Sequence, residues 1–125
     1  MSEIINGRIE TTTLGPADGP VFSFELQCKT VHGMIRVGGI TLDAPQNSKH
    51  PADRFLGRKP TALIGAFICD ILRVTGSRQW EEVPGAHIRI RYNDGKIVAI
   101  GHVINDEWMW FQDVIDWYHQ QQEGK

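Results

Sequence analysis

Two arginines spaced two apart, Arg89 and Arg91, are the residues of this chain best suited to bind something. In an extended segment, side chains at i and i+2 stand on one side, about 7 Å apart. That separation suits two phosphates, or one phosphate gripped from both sides. Aromatic residues are plentiful: 4 Trp, 5 Phe and 2 Tyr, with Trp108 and Trp110 shortly after the arginines. Guanidinium groups beside stacking rings, with few candidate catalytic acids, make a kit for holding a nucleotide. The competing reading is an ordinary solvated strand face.

His87 and His102 invite a metal or acid–base role, since neighbours across a hairpin can share a ligand. No third ligand has motif spacing, so Asp43 or Asp18 would have to arrive from elsewhere, and neither a metal nor a cofactor is expected. There is no G-x-S-x-G elbow and no Walker or Rossmann glycine pattern. Val37-Gly38-Gly39-Ile40 is too short for a phosphate loop. Nothing here demands catalysis, and the chain reads as a binding protein, not an enzyme.

The arginines and histidines belong to a predicted hairpin. Asp94-Gly95 between the β-rich runs 86–93 and 96–104 is a strong two-residue turn signal. In a regular register Asn93 faces Lys96, Arg91 faces Val98, Arg89 faces Ile100 and His87 faces His102. One face then holds Ile88, Ile90, Tyr92, Ile97, Ala99, Gly101 and Val103 and packs on the core. The other is cationic, with Val98 and Ile100 as an apolar floor.

Around it, residues 4–13 have strand chemistry and stop at a Gly/Pro turn cluster. Residues 21–31 alternate, with Phe22, Phe24, Leu26 and Cys28 on one face. A third strand, 34–42, is interrupted by Gly38-Gly39, which marks a bulge or a place where a backbone or ligand comes close. Residues 44–59 lack periodicity and carry Lys49, Arg54, Arg58 and Lys59 against Asp53. They read as a solvated loop or as a basic lid. Pro60 fits the start of a helix and Gly76 its left-handed end, with apolar residues covering most of the circumference between. A short helical turn is expected over 78–82. A last helix should start near Asn105 or Asp106 and run to about Gln121, burying Phe111, Val114, Ile115 and Tyr118, with Trp110 and Trp117 at its edge. The fold class is α+β: about five antiparallel strands packed on a central buried helix, with a C-terminal helix.

The chain has 125 residues, 41% of them hydrophobic and 22% charged, with 13 Lys+Arg against 15 Asp+Glu. One domain, 1–125, accounts for that length. A net charge of −2 argues against coating a nucleic-acid polymer, which takes a surplus of cations. No apolar stretch is long enough to span a bilayer. Cys28 and Cys69 show no paired spacing, so free thiols in a reducing cytoplasm are expected.

Three segments, taken together, resemble a known family. They are Gly38-Gly39-Ile40-Thr41-Leu42-Asp43; Phe67 to Val74 with Gly76 and Trp80-Glu81; and Gly85-x-x-Ile88-Arg89-x-Arg91 followed by Lys96 to Ile104 and Trp108. In that order they are similar to the small phage proteins of the Thoeris anti-defence sponge family, over roughly residues 21–111. Val37 stands where an aromatic is expected, Met109-Trp110-Phe111 replaces a Phe-led turn, and the 44–59 loop has no counterpart. The resemblance implies a viral protein in the host cytoplasm that binds cyclic ADP-ribose isomers made by an immune TIR-domain enzyme and holds them uncleaved. It implies a homodimer with the ligand recessed at the interface. Some members are hexamers that also bind cyclic oligonucleotides.

On this reading Arg89 and Arg91 grip the pyrophosphate, Phe67 or Trp108 offers a stacking surface, Gly38 and Gly39 allow close approach, and Arg36 is a further candidate. Two other classes compete: a nucleotide-hydrolysing enzyme using His87 and His102, and a phage structural or interaction module with Trp110, Trp117 and the last helix as its surface.

Overall fold

The computed structural model describes residues 2–15, 21–45 and 58–123. It is α+β, as the patterning predicts. The main sheet is six-stranded and antiparallel: β1 (Ser2–Gly15), β2 (Ser23–Thr30), β3 (Gly33–Thr41), β6 (His87–Asn93), β7 (Lys96–His102) and β8 (Trp108–Trp110), in the order β3-β2-β1-β6-β7-β8. The helices are α1 (Ala62–Thr75) and α2 (Phe111–Glu123), with a 3₁₀ turn over Trp80–Glu82. The ends of the expected lid pair with each other as β4 (Asp43–Pro45) and β5 (Arg58–Pro60). Residues 46–57, with Lys49 and Arg54, lie outside the described residues.

The inward residues of the alternating strands meet a single stripe of α1. Leu63, Phe67, Ile71 and Val74 recur at helical spacing and are buried against Phe24, Leu26, Ile88, Ile90 and Ile100. At the centre, Phe24 and Phe67 have ring centroids 5.2 Å apart, and Phe111 from α2 lies 6.1 Å from each. Pro60 is not the first helical residue as expected but ends β5; Thr61 caps α1, its Oγ1 accepting from Leu63 N–H at 3.2 Å, and the helix starts at Ala62. Gly76 ends the helix with φ 70°, in the left-handed region that glycine adopts freely.

Two expectations are corrected near the C-terminus. Residues 108–110 form a sixth strand instead of a first helical turn, and α2 starts at Phe111. Trp108 and Trp110 alternate about the buried Met109, a period of two that fits a strand. Among the described residues no helix is long and apolar enough to cross a membrane.

A stacked arginine and tryptophan face as the candidate functional site

The hairpin turn is as expected: Asp94 and Gly95 both have positive φ, 53° and 80°, as a type I′ turn requires. The regular register does not hold beyond it. Asn93 pairs Lys96 and Tyr92 pairs Ile97, but then Arg91 pairs Ala99, Ile90 pairs Ile100, Arg89 pairs Gly101 and Ile88 pairs His102. Val98 is the extra residue of a β-bulge, which shifts everything after it by one and turns it over. Ile100 is therefore fully buried in the core, while Ala99 and Gly101 take the outer face. The physical reason is the run Ile97-Val98-Ala99-Ile100: a bulge brings both isoleucines to the core, Ile100 fully buried and Ile97 partly, where strict alternation would put Ile100 outside.

This rearrangement builds the site. Across three strands the outer face reads Arg91–Ala99–Trp110 in one row and Arg89–Gly101–Trp108 in the next. The middle strand contributes only a methyl group and a hydrogen, so arginines from β6 and indoles from β8, about 10 Å apart in backbone, lean together over it. The Arg91 guanidinium carbon lies 4.2 Å from the Trp108 ring centroid and 4.8 Å from that of Trp110. That of Arg89 lies 4.7 Å from Trp108. These are cation–π distances.

The two arginines have different partners. Arg89 donates through Nε to the His102 carbonyl at 2.7 Å and through Nη2 to the Asn105 carbonyl at 2.8 Å. Its charge is spent on the connection between β7 and β8. Arg91 makes no such bond, and its Nε is buried without a hydrogen-bond partner. A buried donor of this kind is costly unless something accepts from it. Neither guanidinium is paired with a carboxylate among the described residues. Trp108 is fixed from its far edge, its Nε1 donating to Asp106 Oδ1 at 3.1 Å.

The other candidates are placed elsewhere. Phe67 is fully buried at the centre of the core, with no surface to offer a ligand. Gly38 and Gly39 form a bulge in β3, at the opposite edge of the sheet. The close approach at Gly38 is to the protein's own backbone: a Cβ there would sit 2.3 Å from the Phe24 carbonyl oxygen. Arg36, on the same strand, is held by Glu25, Nε to Oε1 3.0 Å, and Gln27 donates to the same oxygen at 2.9 Å. The histidines do not meet across the hairpin, because the bulge turns His102 to the face opposite His87; Ile88, not His87, is its partner. Among the described residues no three His, Cys, Asp or Glu side chains cluster as a metal site would need.

Trp110, which the sequence offers as a stacking ring and also as the edge of the last helix, stands in the site on β8 and not on that helix. Trp108-x-Trp110 has the same period of two as Arg89-x-Arg91, and that likeness was the available signal. Beside the stack, β8, α1 and α2 leave a groove of about 460 Å³ that includes Trp110, Trp117, Cys69 and Asp113. Scans against protein-family models, curated proteins and solved structures return no match for this chain.

Proposed function

We propose that the chain binds a cyclic ADP-ribose-type signal, or another cyclic nucleotide, and sequesters it without cleaving it, as a phage anti-defence protein in the host cytoplasm would. The observation that carries this reading is Arg91: a guanidinium between two indoles, unpaired with any carboxylate among the described residues, whose buried Nε lacks an acceptor. A pyrophosphate oxygen supplies that acceptor. The partly exposed Trp110 (37%) offers a stacking surface for an adenine.

Charge-assisted hydrogen bonds contribute about 1.5–3 kcal/mol each and a stacked base about 1–3 kcal/mol. One arginine making two bonds, with one stacked base, reaches about 4–9 kcal/mol, enough for a micromolar complex at the upper end. Sequestration needs slower release than that. A second copy of the chain closing over the open face is therefore part of the proposal, as a homodimer or a hexamer built from dimers.

The test is to incubate purified protein with cyclic ADP-ribose isomers and with cyclic oligonucleotides, remove free ligand, and release the bound fraction by heat. Intact ligand is expected. A cleaved product would overturn sequestration in favour of hydrolysis, and no bound ligand would favour the interaction-module reading, with exposed Trp110 and Trp117 as a subunit surface.

A further inference from the structure

We infer that His102 is the positioning residue of the arginine–tryptophan face: the acceptor nitrogen of its neutral imidazole organises the connection that holds Arg89, and protonation releases it. The functional half of this inference rests on the ligand-binding reading above; the structural half stands without it.

Residues 103–107 link β7 to β8 and are all exposed, Ile104 at 82%. Apolar packing therefore does little to order them, and His102 supplies most of what does. Its backbone N–H donates to the Glu107 carbonyl at 2.9 Å, closing the connection at its neck. Its Nδ1 accepts from the Ile104 N–H at 3.1 Å and the Asn105 N–H at 3.0 Å, organising the interior. With those two amides turned inward, the Asn105 carbonyl and the His102 carbonyl are the acceptors taken by Arg89. Farther along the same connection, Asp106 holds the Trp108 indole. Arg89 and Trp108, two members of the stack, thus both depend on a turn organised by one ring nitrogen, and Trp108 is one of the two indoles against Arg91.

Accepting two amide protons requires Nδ1 to be bare, which puts the neutral ring's proton on Nε2. On that side α1 ends at Gly76, where a Cβ would lie 3.7 Å from Nε2, so the neighbouring residue brings no charge. The connection itself contributes Asp106 and Glu107, β6 contributes the Arg89 guanidinium beside the His102 carbonyl, and Arg73 of α1 donates to the Trp108 carbonyl at 3.1 Å. Adding a proton to Nδ1 sets a donor against two donors. Both acceptor bonds are lost, the turn reorganises, and Arg89 loses a carbonyl partner.

The experiment compares wild type with His102→Asn and His102→Leu. An Asn Oδ1 lies where Nδ1 does and does not titrate; Leu removes the acceptor. Three quantities are read at about pH 8 and pH 5: the ¹⁵N shifts of the His102 ring, the exchange protection of the Ile104 and Asn105 amides, and affinity for cyclic ADP-ribose by calorimetry. Wild type should show bare Nδ1 at pH 8, and lose protection and about tenfold or more in affinity at pH 5. His102→Asn should keep both at either pH, and His102→Leu should lack both at either pH. Unchanged amide protection in His102→Leu, or a protonated Nδ1 at pH 8, overturns the inference. So does an acid loss of affinity that persists in His102→Asn. If wild type binds no cyclic ADP-ribose while the two amides respond as described, the ligand reading fails and the positioning role stands.

Discussion

Replacing Gly101 with alanine should dislodge Trp108 without altering either arginine. Gly101 has no positive φ, so alanine meets no backbone strain there. Its Cβ, however, would lie 2.6, 2.7 and 2.9 Å from Cε3, Cδ2 and Cζ3 of the Trp108 indole, well inside the ~3.5–4 Å of carbon–carbon contact. A free ring would swing aside at little cost. This one is tied to Asp106 at its edge and covered by two guanidiniums. Moving it forfeits two cation–π contacts, about 0.5–2 kcal/mol each, and a hydrogen bond of about 1 kcal/mol, so Gly101→Ala should cost roughly 2–5 kcal/mol. Urea unfolding followed by circular dichroism measures this, and tryptophan emission should shift as the indole leaves its stack. In a Trp108→Leu background most of the cost should vanish, because the flexible leucine yields where the pinned ring does not. A wild-type-background cost below about 0.5 kcal/mol, or an equal cost in both backgrounds, would refute the stacking argument.

Arg91→Ala should weaken binding of cyclic ADP-ribose at least tenfold by calorimetry, and should lower the urea midpoint through the two cation–π contacts it forfeits. Arg89→Ala should lower that midpoint, since it removes two bonds to the β7–β8 connection. Gly38→Ala should destabilise by about 2 kcal/mol or more, because φ is 126° and the Phe24 carbonyl blocks a side chain, whereas Gly39→Asn, with φ 78° and open space, should be tolerated in the same denaturation assay. Phe67→Ala should cost about 3–5 kcal/mol as a core truncation. Burial, then the nearby Glu10 charge, push the Cys28 thiol up to about 12 from 9.0. At pH 8 an alkylating reagent should therefore modify the exposed Cys69 and spare Cys28, as intact mass would show. The same shift has a sign for stability: the folded state holds the Cys28 proton more tightly. Its contribution is complete below pH 9 and is lost between pH 9 and pH 12, so midpoints should fall over that alkaline window.

Most of the architecture was legible because local chemistry announced it. Alternation in β2, the Asp94-Gly95 turn, and the Gly76 end of α1 each follow from residue type alone. The arginine pair was legible for the same reason, as a period of two on a strand. What failed was register. In 97–100 apolar residues run without a break, so periodicity cannot reveal that one is supernumerary; only the packing of both Ile97 and Ile100 on the core decides it. The bulge in turn decided the fate of the histidines and the floor of the site. The strand at 108–110 was hidden for a second reason: its period of two lasts only three residues, and the following helix pattern absorbs them. Phe67 was ambiguous because a buried ring and a ligand-stacking ring are the same residue type, and only its place between Phe24 and Phe111 separates them.

The bulge at Val98 also gives this fold a joint at which its length can change. Because Val98 has no partner on β6, dropping its codon would leave Tyr92–Ile97 and Arg91–Ala99 facing each other on their present sides, now in unbroken pairing. A single-codon loss or gain anywhere between Ala99 and His102 would instead turn the arginine rows inside out. A deletion at Val98 or a change of length in the turn beyond it should therefore be tolerated where one between Ala99 and His102 is not. The length of the hairpin tip and the geometry of the guanidinium stack are thereby uncoupled.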